Sequence, residues 1–291
     1  MVNTTTSPDR ISTIRAFAQL FRPILGFIAA LASCATIYAL NSAIPLWKYL
    51  LTATVLMCIT SASFAIDDYW DVEQDLINHP ERPLPSGDIS PQKAWCAAVI
   101  LFVCAWTAAI PLGLYPLVLV SLSIISLWNY SHLLTYSGIL GNIIVAANDA
   151  SLIFLGSLVA DRPSAMIYPI GFLFCYILAK EIIWDIHDTE GDRAQRIVTI
   201  ANSWGVSTAF NIAWGLLTML LISIPLALLL LPMSYPLLFA SFSSMMLLSI
   251  GIALFYYQQK PNVKTYRGLS IWGRLGMLLG IIGLLGTATP V

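Results

Sequence analysis

Charge is scarce in this sequence: 10% of its 291 residues are Asp, Glu, Lys or Arg, 58% are hydrophobic, and the mean hydropathy is +0.80. That balance lies outside the range of soluble globular domains and describes a polytopic, integral membrane protein embedded in a lipid bilayer, with no nucleic-acid partner expected. Histidine is nearly absent, and His79, His132 and His187 lack metal-ligand spacing; His79 and His187 read as polar loop residues. The five cysteines, Cys34, Cys58, Cys96, Cys104 and Cys175, all fall inside apolar runs with no CxxC pair, which points to packing rather than disulfides or a thiolate metal site. No cleavable signal is expected, because mostly polar residues precede a first apolar run of full spanning length.

The few acids are concentrated. Of fifteen, seven lie between Asp67 and Asp88 and five between Glu181 and Asp192, leaving only Asp9, Asp149 and Asp161 elsewhere. In the first stretch, IDDYWDVEQDLINHPERPLPSGDI, Asp67, Asp71 and Asp75 are four apart, so a helix carries their carboxylates along one face, with Asp68 beside the row. Stacked like charges repel, and such a row calls for a hard cation that accepts oxygen ligands, magnesium above all. A solvated acidic loop is the plain alternative. Arg82, set among Pro80, Pro83 and Pro85, offers a fixed guanidinium where a phosphate would sit. The second stretch, KEIIWDIHDTEGDRAQR, repeats the arrangement with Asp185, Asp188 and Asp192. Two facing carboxylate clusters with Arg and Lys nearby suit a magnesium diphosphate.

Along the chain, residues 1–10 read as disordered and Ile11 to Phe21 as a short amphipathic segment. Nine apolar spans follow: about Ile24 to Leu40, Tyr49 to Asp67, two within Ala94 to Asn148 ending near Ile110 and Tyr130, Ile139 to Ala160, Met166 to Trp184, two within Ile197 to Gln259, and Leu269 to Gly286. With the N-terminus cytoplasmic, twelve basic residues fall on the inner side and only Lys48 and Arg162 outside, which supports the count and the orientation. Both acidic rows then emerge on the cytoplasmic face. A transporter would place its coupling carboxylates near mid-bilayer on interrupted helices rather than at span ends, and a purely structural protein has no need of two matched clusters. Only Asp149 lies at mid-depth, with Asn142 and Asn148 near enough in sequence to share a polar network with it.

At these motifs the chain resembles the UbiA superfamily of intramembrane prenyltransferases. The family pattern NDxxDxxxD followed by NHPxRPxPSG appears as DDYWDVEQD (Asp67 to Asp75) and NHPERPLPSG (Asn78 to Gly87). The pattern of Arg or Lys, then Glu, then DxxDxxGD appears as KEIIWDIHDTEGD (Lys180 to Asp192), and FRP (Phe21 to Pro23) and LGNIIVA (Leu140 to Ala146) agree further. The resemblance covers essentially the whole chain as a single domain, residues 1–291, and implies an all-α membrane protein of nine helices around a central cavity.

It also implies the chemistry: transfer of an isoprenyl group from a prenyl diphosphate to a lipophilic acceptor, aromatic, quinoid or glycerol-lipid, with two magnesium ions. Asp67, Asp71, Asp75, Asp188 and Asp192 would be the catalytic metal ligands, with Asp68 and Asp185 as neighbouring ones. Arg22, Arg82, Lys180 and Arg193 would hold the diphosphate, and Tyr69, Trp70, Tyr130, Tyr176 and Trp184 would line the cavity that shields a carbocation, with Asn142 a further substrate contact. Asp149 would orient the acceptor or take its proton. Some members cyclise the prenyl chain without an acceptor, so a terpene synthase is the alternative. Two departures stand out: Asp67 replaces the usual Asn, and YSHLLT puts Leu134 and Thr135 where many members carry a lysine after the tyrosine.

Overall fold

The computed structural model describes residues 10–130, 139–194 and 196–287, and among them it is entirely helical. Helix α1 (Arg10–Phe21) is followed by α2 (Pro23–Leu40), the two meeting at Arg22, whose φ of 46° is left-handed. Pro23 accounts for the corner: it disfavours the right-handed helical region for the residue before it and is well suited to open the next helix. Then come α3 (Leu46–Trp70), α4 (Val72–Asn78), α5 (Pro91–Ala109) and α6 (Leu114–Asn129). The second half holds α7 (Ile139–Val159), α8 (Ile167–Ala194), α9 (Ile200–Ser203), α10 (Val206–Leu230), α11 (Pro236–Gln259) and α12 (Val263–Gly286).

Eight of these helices are long and apolar enough to cross a membrane. Helix α6, at 16 residues, is shorter. It falls where the fourth of nine spans was expected, so the described residues give eight spans of full length rather than nine. Side chains such as Leu229 and Leu237, 83% and 79% exposed, cover the outer faces of α10 and α11, as a lipid-facing surface requires. The protein is an integral, multi-pass membrane protein. The disorder expected for residues 1–10 lies outside the described residues except at Arg10, where α1 begins.

Two apolar cores divide the bundle. One gathers Leu20, Ile37, Val55, Ile66, Phe102 and Leu155 from α1, α2, α3, α5 and α7; the other gathers Tyr176, Ile183, Phe210, Leu254 and Leu269 from α8, α10, α11 and α12. Helices α2 and α7 stitch them together, and they approach closely because α7 carries Gly156, where an added Cβ would sit 2.7 Å from the Ser33 carbonyl oxygen. The 28 residues of α8 extend about 42 Å, longer than the roughly 30 Å hydrocarbon core of a bilayer, so its acidic last turns can stand clear of lipid. They do so at the same end as the close of α3.

Candidate active site

Helix α3 runs out at Trp70, and Asp71 (φ −96°, ψ 14°) forms the joint with α4. Helical hydrogen bonds continue through the joint, Asp71 N–H to the Asp67 carbonyl at 2.9 Å and Asp75 N–H to the Asp71 carbonyl at 2.8 Å, so the chain bends without breaking. The straight row of Asp67, Asp71 and Asp75 expected from spacing is therefore bent at its middle member. Bending spreads like charges and turns Asp75 toward a cation. All three carboxylates still line one cavity of about 470 Å³, together with Asp68, Asp185, Asp188 and Asp192.

Two arginines hold the first wall. Arg82, on the proline-rich turn after α4, donates from Nη1 to both oxygens of Asp75 at 2.7 and 2.8 Å and lies 3.6 Å from Asp68 Oδ1. Arg22, at the α1–α2 corner, donates to Asp68 Oδ1 at 2.7 Å while its guanidinium lies 4.3 Å from the Phe64 ring centre. Asp68, read from the sequence as a neighbour of the row, is almost completely buried and is the first wall's most enclosed carboxylate. Burial pushes Asp71 well above the ordinary carboxylate range, with Asp67 and Asp75 adding to the shift. Burial also raises Asp75 against the opposing pull of Arg82, and it lowers Arg22, a shift that Asp68 resists.

The second wall is α8, and side chains from other elements reach it at Asp185, Asp188 and Asp192. Asn142 of α7 donates to Asp185 Oδ2 at 2.8 Å, and Gln74 of α4 donates to Asp192 Oδ1 at 2.5 Å. Asn78 donates to the Asp188 carbonyl oxygen at 3.1 Å and accepts from Gly191 N–H at 3.0 Å, joining the two motifs directly. Lys180 Nζ stands 3.8 Å from its neighbour Glu181. His79 Nε2 lies 3.2 Å from Asp188 Oδ1, though the geometry gives neither atom a hydrogen bond.

Among the described residues no three His, Cys, Asp or Glu side chains converge as a ready-made metal site. The carboxylates are spread over two walls, and several are already engaged by arginine, asparagine or glutamine. The donor chemistry nonetheless fits magnesium: every candidate ligand is a hard oxygen, and Asp68 Oδ2 and Asp188 Oδ1 are buried with no hydrogen-bond partner.

Of the substrate-contact candidates, Arg22, Arg82, Lys180, Tyr130, Trp184 and Asn142 line the cavity, as does Asp149. Tyr69 and Arg193 do not. Tyr69 packs beside Trp70 and the first core, and Arg193 is exposed on the last turn of α8, outside the cavity lining. Tyr176 is 1% exposed within the second core, and Trp70 is also away from the cavity wall. Leu134, Thr135 and His132 lie outside the described residues. Among the described residues neither Asn142 nor Asn148 hydrogen-bonds to Asp149: Asn142 turns to Asp185, and Asn148 donates to Ser126 Oγ and the Ile144 carbonyl. Asp149 instead borders both the main cavity and a second, largely apolar one of about 150 Å³ reaching toward Phe172 and Phe239.

A further wall of the cavity carries no acidic motif. Tyr266, Ser270, Gly273, Arg274 and Met277 of α12 all face the cavity, at steps of three, four and one along a single helical face. Tyr266 is stacked on His187 with ring centres 3.5 Å apart and meets Trp184 edge-on at 5.5 Å, so His187 is part of an aromatic wall and not a loop residue. His79 likewise lines the cavity. The spacing on α12 was readable, but no acid or second motif drew attention to it.

The pattern of the UbiA prenyltransferase family matches residues 26–273. The chain belongs to the UbiA prenyltransferase family. Among curated relatives, a digeranylgeranylglyceryl phosphate synthase of Saccharolobus solfataricus is 37% identical over 180 residues, 61% of this chain and 64% of the relative. That match thus spans a little under two thirds of the relative's length. A synthase of the same name from Sulfolobus acidocaldarius is 31% identical over 219 residues, 74% of this chain and 78% of the relative. In fold, the chain is similar to a UbiA homolog from Archaeoglobus fulgidus whose structure contains GPP and Mg2+, with a TM-score of 0.70 at 15% identity over 92% of this chain and 99% of the homolog. The two acidic stretches are the parts of this UbiA chain that its fold brings face to face.

Proposed function

We propose that this UbiA member catalyses magnesium-dependent transfer of an isoprenyl group from a prenyl diphosphate to a lipophilic acceptor, its whole length acting as one nine-span domain with the acidic stretches cytoplasmic. The observation that carries the reading is the meeting of both acidic stretches, with Arg22, Arg82 and Lys180, around one cavity. The names of the relatives favour a glycerol-lipid acceptor carrying a phosphate.

Two magnesium ions would be held by Asp67, Asp68, Asp71 and Asp75 on one wall and Asp185, Asp188 and Asp192 on the other. When bound, magnesium supplies neutralisation of the charge that grows on the departing pyrophosphate. Arg22, Arg82 and Lys180 bind the diphosphate oxygens. The allylic C–O bond breaks with its electron pair leaving on pyrophosphate, and the faces of Trp184, Tyr266 and Tyr130 stabilise the cationic prenyl carbon while excluding water. The acceptor hydroxyl oxygen attacks that carbon. Its proton passes to Asp149, which stands at the border of the polar and apolar cavities and orients the hydroxyl.

Mass spectrometry tests the reading. Purified enzyme with magnesium, a prenyl diphosphate and a panel of aromatic, quinoid and glycerol-lipid acceptors should yield a prenyl ether with the glycerol lipid. Cyclic hydrocarbon or alcohol formed from the donor alone, at the rate of pyrophosphate release, would replace it with terpene synthesis.

A further inference from the structure

Four cations line the main cavity, and three of them have a carboxylate close by: Arg22 with Asp68 at 2.7 Å, Arg82 with Asp75 at 2.7 Å, and Lys180 with Glu181 at 3.8 Å. Arg274 is the fourth. It lies beyond Lys264 and Arg267 on α12, about 8 Å past Leu269, where the apolar run of this span begins. A charge at that depth is costly and needs an anionic partner or a route to water. Among the described residues none supplies a partner: α2 and α11, the helices packed most extensively against α12, contain no Asp or Glu, and although α8 also packs against α12 and carries the second acidic row, Arg274 forms no ion pair with either row. Its one protein hydrogen bond is from Nε to the Ser270 carbonyl, 3.2 Å away and one turn back toward the end of α12 that carries Tyr266.

Its position on the helix is equally specific. Ser270, Gly273 and Met277 face the cavity, while Ile271 and Leu275, 44% and 43% exposed, belong to the lipid-facing surface. Arg274 sits on the border between these faces, both exposed and lining the cavity. An amphipathic molecule reaching the carboxylates from the lipid-facing side of α12 would meet this guanidinium. A guanidinium left with most of its donors unused is matched to a phosphate, which it can grip through two parallel hydrogen bonds.

We propose that Arg274 receives the phosphate of the lipid acceptor, separate from the cations that hold the donor diphosphate; this rests on the glycerol-lipid reading above. Arg274 is then a substrate-binding residue that selects acidic acceptors over neutral ones.

The test compares wild type, Arg274→Gln and Arg274→Lys as full-length protein in zwitterionic nanodiscs, with one prenyl diphosphate donor and two acceptors, a prenylglyceryl phosphate and the matched prenylglycerol. Losing a charge-assisted contact should raise the KM for the phosphorylated acceptor about tenfold or more in Arg274→Gln, with Arg274→Lys between that variant and wild type. The donor KM should stay within about twofold, which also reports an intact fold. A donor KM that rises as much as the acceptor KM would assign Arg274 to the diphosphate and overturn the proposal. An unchanged acceptor KM, with a wild-type rate that depends on anionic lipid, would assign it to bulk headgroups and overturn it too. Wild-type enzyme that prenylates neither acceptor would remove the acceptor reading itself, and the proposal with it.

Discussion

Asn78 and Gly191 lock together across the site, the asparagine carboxamide accepting from the glycine N–H at 3.0 Å while its amide donates to the Asp188 carbonyl at 3.1 Å. Gly191 has no room for a side chain, because an added Cβ would run into the Asn78 carboxamide itself. One residue of the first motif and one of the second thus fix the distance between the two acidic walls. Gly191→Ala should lower the melting temperature by an amount equivalent to about 1–3 kcal/mol and reduce turnover. Asn78→Ala in the same chain should recover much of the lost stability, because it removes the obstruction, yet it should not recover activity. Thermal melting and turnover of the two single variants and the double variant measure this coupling.

Arg82 Nη1 donates to both oxygens of Asp75, and Asp75 is nearly inaccessible. Arg82→Ala leaves a buried carboxylate without its partner and should cost stability on the order of 3 kcal/mol. Arg82→Lys keeps the charge but loses the planar guanidinium and its remaining donors, so it should fold and show a raised KM for prenyl diphosphate. Denaturation curves and donor kinetics separate the two effects.

The ionised form of Asp71 is disfavoured by burial and by Asp67 and Asp75. Asp71→Asn should therefore raise the melting temperature of the magnesium-free protein while reducing the further rise that magnesium gives wild type, a trade of function against stability. Differential scanning fluorimetry with EDTA and with magnesium reads both. A lower melting temperature for Asp71→Asn without metal would contradict the strain assigned to that carboxylate.

Asp149 borders both cavities and has no bond to Asn142 or Asn148. Asp149→Asn should cut product formation about a hundredfold, the scale of a lost general base, while leaving donor binding intact. Matched losses of folded yield and of activity would instead mark a structural group.

Much of this was legible from the residues because the chain is nearly bare of charge. Twelve acids in two stretches, each ending an apolar run, locate the site without any knowledge of packing, and Asp67, Asp71, Asp75, Asp185, Asp188 and Asp192 do line one cavity. What spacing could not give was the joint at Asp71, since a four-residue period assumes a straight helix and the backbone turns there. It also could not say which aromatic turns inward. Tyr69 and Tyr176 pack into the cores, whereas Tyr266, far beyond the motifs in sequence, enters the site because α12 closes the cavity. Arg193 looked equivalent to Lys180 by charge alone, but it is on the exposed last turn of α8. The eight full-length spans and the shorter α6 follow the expected apolar runs, so the membrane architecture was the most readable level of all.

The central claim is that the two acidic walls act together on one diphosphate. Pyrophosphate release from a prenyl diphosphate, followed with and without magnesium in wild type, Asp71→Ala and Asp188→Ala, tests it most directly. Release should occur in wild type only with magnesium and fall at least about a thousandfold in either variant, because each wall alone leaves the departing charge half neutralised. Full turnover in either variant, or wild-type release that is indifferent to EDTA, would contradict it.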